Sequence, residues 1–287
     1  MTATQNTTVT HNTVTTEHVV AANGVNFAYR RFGNLSGTPL VFINHYRGNL
    51  DTFDPAITDA LAGDREVVLF DNAGIGASTG TARDTLEGIA ADAEALIDAL
   101  GYEQVDLLGF SMGGQVAQQI TLDRPELVRK LILVGTGPRA GEGMESMLPS
   151  TIALFVKEWT PEDAIWGPVF FSQSPKGLAA AADYLERTRA REDRDAPVSV
   201  DAANAHYVAA GRWGAPGQSN DYLEDIAQPT LIVNGNNDIV IPTVNSYLMQ
   251  QKMPNARLVL YPDSNHGSHF EYHNHFTRDV AYFLDQE

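Results

Sequence analysis

Residues 104–122, QVDLLGFSMGGQVAQQITL, hold the strongest structural signal in the chain. The stretch begins with a continuous apolar run, which is typical of a strand buried on both faces of a parallel sheet. A G-x-S-x-G pattern follows from Gly109 to Gly113, and a helix-like segment completes the stretch. This order of strand, sharp turn and helix predicts an α/β fold with Ser111 in the turn, where the helix N-terminus favours negative charge.

Apolar runs of the same kind recur along the chain and predict a mostly parallel sheet flanked by helices. Five further runs are predicted to be core strands: residues 39–45, 65–71, 130–135, 229–238 and 258–266. Residues 18–33 carry Asn23-Gly24 between alternating segments, which predicts an antiparallel hairpin at the sheet edge. Residues 84–101 have apolar residues at helical spacing and predict a crossover helix with Asp84 as its N-cap.

The predicted strands are interrupted by a long interval at residues 142–225. This interval is rich in helix-forming, large apolar and aromatic residues, so it is too apolar for a linker and predicts a helical cap over one edge of the sheet. Residues 1–17 are rich in Thr and Asn without a basic start or an apolar run, which predicts a disordered lead-in rather than a secretory signal. The remaining segments, 18–141 and 226–287, are predicted to form one α/β core.

The composition excludes several classes of protein. The 287 residues include 19 Lys and Arg against 36 Asp and Glu, and the formal net charge of −17 repels nucleic acid and anionic lipid, so neither is expected as a partner. The chain has no cysteine, which excludes disulfides, thiolate metal sites and a cysteine nucleophile. No apolar run approaches the roughly 20 residues that span a bilayer, and a cytoplasmic protein is expected.

A serine hydroxyl needs a nearby base, and that base needs a third group to hold its tautomer. Asp238 ends the predicted strand at 229–238, and His266 follows the last predicted strand. The chain order is therefore Ser, Asp, His, with each residue at the carboxyl end of a strand, where open α/β sheets form their sites. The sequence predicts Ser111 as nucleophile, His266 as general base and Asp238 as the acid that orients the histidine.

Four motifs in register resemble those of the α/β-hydrolase superfamily. They are GFSMGG at 109–114, FDNAGIGAS at 70–78, NGNNDIVIP at 234–242 and DSNHG at 263–267. The resemblance covers roughly residues 20–285 and is to small serine hydrolases, a branch that includes esterases, cofactor-free haloperoxidases and lactonases. It implies the α/β-hydrolase fold, with the cap inserted before the strand that carries Asp238, and a structural role for the turn at 70–78.

The resemblance also implies an oxyanion hole formed by two backbone N–H groups. One belongs to Met112, the residue after the nucleophile. The other belongs to the loop after the first parallel strand, where VFINHYRGN at 41–49 matches the family and assigns Tyr46. Asn44-His45 stands where the family has a His-Gly pair, so the N–H of His45 is the alternative second donor.

Two competing interpretations concern the residues around the predicted base. Four histidines lie close together in sequence: His266, His269, His273 and His275. The i, i+4 spacing of His269 and His273 is compatible with a metal site, but only Glu271 joins them as a carboxylate, so neither a metal nor a cofactor is expected. Asp263 competes with Asp238 for the third position of the triad and is interpreted as a loop cap.

The sequence therefore predicts a serine hydrolase that acts on a small-molecule carboxylic ester through an acyl-enzyme. Perhydrolysis by a cofactor-free haloperoxidase and lactone hydrolysis are alternatives that use the same triad, and a ligand receptor on a hydrolase fold is the alternative outside the enzymes. Some aromatic residues of the predicted cap are expected to contact substrate. The candidates are Phe155, Trp159, Trp166, Phe170, Phe171, Tyr207 and Trp213. The sequence leaves the oligomeric state open.

Overall fold

The computed structural model describes residues 9–286 and contains one twisted sheet. Its eight strands are β1 Glu17–Val20, β2 Asn26–Gly33, β3 Leu40–Ile43, β4 Glu66–Phe70, β5 Val105–Phe110, β6 Val128–Val134, β7 Thr230–Gly235 and β8 Ala256–Tyr261. They are arranged in the order β1-β2-β4-β3-β5-β6-β7-β8. Strand β2 pairs antiparallel with β1 and β4, and the other neighbours pair parallel. The predicted parallel sheet with an antiparallel edge hairpin is confirmed.

Helices cover both faces of this sheet. They are α1 Pro55–Ala62, α2 Leu86–Ala99, α3 Met112–Asp123, α4 Pro149–Val156, α5 Trp166–Phe170, α6 Pro175–Arg189, α7 Val200–Gly214, α8 Val244–Lys252, α9 Ser268–Glu271 and α10 His273–Asp285. Alternate strand residues face opposite ways, so Val41 and Ile43 pack on the side of α2 and α3, while Leu40 and Phe42 pack on the side of α1 and α10. Both faces of the central strands are therefore apolar, as the continuous runs predict.

The predicted disordered lead-in is wrong for residues 9–17. His11 and Val14 are buried, and the ring Nδ1 of His11 lies 3.0 Å from Oγ1 of Thr58. The guanidinium of Arg191 donates to the carbonyl oxygens of His11 and Val14 at 3.2 and 2.9 Å. A long-range partner thus satisfies the backbone of a polar segment, which local composition does not reveal. The rest of the predicted lead-in, residues 1–8, lies outside the described residues.

The crossover helix begins one residue later than predicted. Thr85, not Asp84, is the N-cap of α2, and its Oγ1 accepts a hydrogen bond from the N–H of Gly88 at 3.2 Å. Both residues are good N-caps, and the choice between neighbours depends on backbone geometry that composition does not specify.

Helices α4 to α7 lie between β6 and β7 in chain order, within residues 142–225, which we call the inserted segment. Two contacts of α6 attach it to the core: Arg187 forms a bidentate ion pair with Asp54, and the hydroxyl of Tyr184 donates to the carbonyl of Thr52 at 2.8 Å. The predicted insertion before the strand that precedes Asp238 is confirmed. In the described part of the chain, no helix is long and apolar enough to cross a bilayer.

Candidate active site

The turn between β5 and α3 holds Ser111 in a strained backbone conformation, with φ 56° and ψ −120°. Two glycines make this turn possible. A β-carbon at Gly109 would lie 2.3 Å from the carbonyl oxygen of Gly113, and one at Gly113 would lie 2.2 Å from that of Ile43. Because neither glycine has a side chain, β5, α3 and the end of β3 can lie close together, with Ser111 in the turn between β5 and α3.

The structure brings Ser111, His266 and Asp238 together, although 155 residues separate the serine and the histidine in sequence. The Oγ of Ser111 lies 2.9 Å from Nε2 of His266, and Nδ1 of that ring lies 2.8 Å from Oδ2 of Asp238. The second carboxylate oxygen accepts the N–H groups of Val240 and Ile241 at 2.8 and 2.9 Å. These two amides were not predicted, and they fix the orientation of the carboxylate.

The partners of His266 determine which ring nitrogen carries the proton. A carboxylate oxygen only accepts, so Nδ1–H donates to Asp238 and the neutral ring presents the lone pair of Nε2 to Ser111. The hydroxyl of Ser111 donates to that lone pair. Both side chains of the His–Asp pair are almost fully buried, so water does not compete for this contact. The arrangement can accept the serine proton as the hydroxyl oxygen attacks a substrate.

The predicted oxyanion donors, Tyr46 and Met112, both line the cavity that contains Ser111. Neither amide N–H donates to another group within residues 9–286. Gly113 lets the start of α3 lie close to the end of β3, because a β-carbon there would lie 2.2 Å from the carbonyl oxygen of Ile43 and 2.7 Å from that of Asn44, directly before the loop that carries Tyr46. Amides without another acceptor, on residues that line the same cavity as Ser111, are candidates to hold an oxyanion.

His45 stands where the related motif has a glycine, and it is buried. Its ring packs edge-on against Phe110, Trp166 and Phe170, and its Nδ1 lies 2.8 Å from the carbonyl oxygen of Tyr46. A carbonyl only accepts, so Nδ1 carries the proton, and burial lowers the pKa of His45 to about 3. The neutral ring therefore orients the peptide group that follows Tyr46.

A cavity of about 180 Å³ lies over Ser111 between the core and the inserted segment. Most of its wall is apolar and comes from Met112, Met144, Phe155, Trp166, Val169 and Phe170. Of the seven aromatic candidates, Phe155, Trp166, Phe170 and Tyr207 line it. The others pack elsewhere, as the contact of Trp213 with Tyr222 shows. Gln115 also lines the cavity, and no motif in the sequence singled it out.

The remaining candidates have structural roles. Asp71 of the 70–78 turn accepts the N–H groups of Leu50 and Ala77 at 2.9 and 3.2 Å, as expected for a structural turn. Glu271 accepts from Ser172 and His269 packs against Phe110, so they do not share a ligand site. Among residues 9–286, no three His, Asp or Glu side chains are grouped as metal ligands. Asp238, rather than the alternative Asp263, is the carboxylate that contacts Nδ1 of His266.

The fold and this site define a class of protein, and comparison with known families agrees with it. Residues 38–272 match the family described as "alpha/beta hydrolase fold", and the chain belongs to this family. A solved structure, an alpha/beta hydrolase fold protein from Chitinophaga pinensis, is 36% identical, with a TM-score of 0.90 over 97% of this chain and 100% of that one.

Two curated relatives extend the comparison. A poly(3-hydroxyalkanoate) depolymerase from Ectopseudomonas oleovorans is 31% identical over 79% of this chain and 78% of its own length. A pimeloyl-[acyl-carrier protein] methyl ester esterase from Nitrosomonas europaea is 27% identical over 84% of this chain and 93% of its own length. These similarities support an enzyme with a hydrolase fold and leave the bond that it cleaves to be proposed.

Proposed function

We propose that this protein is a serine hydrolase that cleaves carboxylic esters through an acyl-enzyme on Ser111. The observation that carries the proposal is the continuous hydrogen-bonded chain from Ser111 through His266 to Asp238, with contacts of 2.9 and 2.8 Å. The relative in Nitrosomonas europaea is named as a methyl ester esterase, which favours esters among acyl compounds.

The proposed reaction has two halves. In the first, the Oγ of Ser111 attacks the ester carbonyl, its proton passes to Nε2 of His266, and Asp238 stabilises the imidazolium. The protonated ring then gives this proton to the alcohol oxygen as the carbon–oxygen bond breaks, which leaves an acyl-serine. In the second half, His266 takes a proton from water, the resulting hydroxide attacks the acyl group, and Ser111 regains its proton as the carboxylic acid leaves.

The amides of Met112 and Tyr46 are proposed to donate to the oxyanion that forms in each half. Each such donor is typically worth about 2.7–4 kcal/mol of barrier, so the position of the loop after β3 matters for the rate. The inserted segment is proposed to act as a cap, because side chains such as those of Phe155, Trp166 and Phe170 form part of the mostly apolar wall of the cavity over Ser111. An apolar acyl chain of modest length fits such a wall.

A panel of p-nitrophenyl esters, run with purified wild-type protein and with Ser111→Ala, tests the proposal. We expect multiple turnovers by the wild type and a fall of at least about 10⁴-fold in kcat for Ser111→Ala. Ser150→Ala, at an exposed serine on α4 that does not line the cavity over Ser111, is the matched control and should retain wild-type rates. Turnover by Ser111→Ala at the wild-type rate would contradict the proposal.

The same panel separates the alternatives that the sequence left open. Lactones and a peroxide assay with monochlorodimedone are included, since either reaction uses the same acyl-enzyme with a different substrate or acceptor. Bromination that exceeds ester hydrolysis would reassign the principal activity to perhydrolysis. A single turnover accompanied by a ligand-dependent rise in Tm would instead indicate a receptor.

A further inference from the structure

A second cavity, of about 620 Å³, lies next to the cavity over Ser111 and shares one wall residue with it. Residues from the loop after β3 and from the inserted segment line this second cavity. Some of them are charged, such as Arg47 and Arg194, and others are apolar. The apolar residues are Pro161, Ile165, Trp166, Pro197 and Val198. An alkyl chain can therefore pack against part of this wall.

The wall between the two cavities is thin at two places in the chain. In the loop after β3, Tyr46 lines the cavity over Ser111, and the next residue, Arg47, lines the second cavity. In the inserted segment, Ile165 lines the second cavity, and Trp166 lines both. Consecutive Cα atoms are about 3.8 Å apart, so the two cavities approach each other to roughly the width of a side chain. Within residues 9–286, Trp166 is the one residue that both cavities share.

The indole of Trp166 is held in place by two rings that line the cavity over Ser111. It stacks on Phe170 with 4.7 Å between centroids and 10° between planes, and it packs edge-on against His45 at 5.0 Å. The indole N–H groups of Trp159 and Trp213 donate to carbonyl oxygens. That of Trp166 donates to no group within residues 9–286 and is not among the fully buried polar atoms, so the edge of this ring borders open space.

Trp166 belongs to the buried part of the wall over Ser111. The residue is only 6% exposed, whereas Tyr207 and Glu145 of the same wall are exposed and lie where the cavity opens to solvent. A substrate chain that extends from Ser111 toward Trp166 therefore meets a large, fixed aromatic ring. The larger volume of the second cavity lies on the other side of this residue.

We propose that Trp166 is a specificity residue whose indole separates the two cavities and so limits the length of the ester chain that the protein accepts. The inference rests on the proposed function, because the chain belongs to the ester whose carbonyl Ser111 attacks. One methylene group too many in an apolar pocket typically costs about 10–200-fold in kcat/KM. A smaller side chain at position 166 would join the two cavities and remove this cost for long chains.

Two pairs of esters test the inference, because either side of an ester can extend toward Trp166. The first pair varies the acyl chain: p-nitrophenyl butanoate against p-nitrophenyl decanoate. The second varies the alcohol: butyl acetate against decyl acetate. The variants are Trp166→Leu, which keeps an apolar side chain, and Trp166→Ala. In at least one pair, we expect kcat/KM for the long ester to rise above the wild-type value by about tenfold or more, with no comparable rise for the short ester.

Trp159→Ala is the matched control, since this tryptophan of the inserted segment lines neither cavity and should leave the ratio of long to short ester at the wild-type value. A purely structural role of Trp166 would lower the rates of all four esters together and could not raise the rate of a long one.

No rise for a long ester in either pair, or an equal rise in Trp159→Ala, would overturn the inference while the proposed function stands. Failure of both Trp166 variants to fold would assign the residue to the scaffold and also overturn the inference. Absence of turnover of all four esters by the wild type would overturn the proposed function and the inference together.

Discussion

Gly113 allows helix α3 to approach strand β3 more closely than any side chain would permit. Its missing β-carbon would lie 2.2 Å from the backbone oxygen of Ile43, a contact that only backbone movement relieves. The loop after β3 carries Tyr46, and α3 begins with Met112, so a shift of α3 away from β3 would change the spacing of the two proposed oxyanion donors.

Replacing Gly113 by alanine should therefore impair catalysis more than binding. We expect kcat to fall by about 10²–10³, the usual consequence of losing one oxyanion donor, with KM changing less. Gly167→Ala is the control, because a β-carbon at Gly167 meets nothing within 4 Å. Steady-state kinetics of both variants on one p-nitrophenyl ester check the prediction. Equal kcat values for the two variants would contradict it.

Some residues of the candidate site were predictable from the sequence, and others were not. Ser111, Asp238 and His266 were predictable because each follows an apolar strand inside a short local pattern, and the structure places them within hydrogen-bond distance. The burial of Gln115 Oε1 without a partner in the described chain was not predictable, since it depends on side chains from other segments. The neutral state of His45 also depends on burial against rings from other segments.

Among the elements, α6 is attached to the core in part by the ion pair between Arg187 and Asp54. Asp54 has a fully buried side chain and caps the N-terminus of α1. Its two carboxylate oxygens accept hydrogen bonds from two nitrogens of the Arg187 guanidinium at 2.7 and 2.8 Å. Loss of the arginine would leave a buried carboxylate with a single amide partner. The inserted segment would then lose an anchor, and the start of α1 would lose a neutralising charge.

Arg187→Met should lower the free energy of unfolding by about 2–3 kcal/mol, somewhat less than for a fully buried pair because the guanidinium is a quarter exposed. Arg189→Met, two residues further along α6, breaks the more exposed pair with Asp163 and should cost less than about 1 kcal/mol. Urea unfolding monitored by circular dichroism compares the two variants. Equal losses would show that burial does not govern these contacts.

The elements themselves followed from hydrophobic patterning, because continuous apolar runs and Asn23-Gly24 are local signals with a direct structural cause. Their exact limits did not, as the N-cap Thr85 shows. Residues 9–17 illustrate a different failure. Their long-range contacts include two hydrogen bonds from Arg191, which lies in the inserted segment and has no local signature beside them.

For the whole molecule, buried histidines with a lowered pKa contribute to the loss of stability in acid. Burial lowers the pKa of His206 to about 4, and both of its ring nitrogens lack partners in the described chain. In the unfolded chain a histidine becomes protonated near pH 6.5, whereas His206 in the folded protein stays neutral down to about pH 4. The stability that the neutral ring preserves is therefore complete above pH 6.5 and is lost as the pH falls toward 4.

His206→Phe removes this titrating group, so the unfolded chain no longer binds one more proton than the folded chain at this position. As the pH falls from 6 to 4.5, we expect the free energy of unfolding of the variant to rise relative to that of the wild type by about 1.4 kcal/mol per pH unit. Above pH 7.5 the two curves should run parallel, since the ring is neutral in both states, and this range is the internal control. Urea titrations across the pH series provide the values, and curves that stay parallel down to pH 4.5 would refute the assignment.

Identifying the residue that forms the covalent bond tests the proposed nucleophile most directly. Purified protein is treated with one equivalent of a fluorophosphonate, and the adduct is located by intact mass measurement and tandem mass spectrometry of its peptides. We expect a single adduct on Ser111, loss of esterase activity in step with its formation, and no adduct on Ser111→Ala. Full inactivation with Ser111 unmodified, or full activity with Ser111 modified, would contradict it.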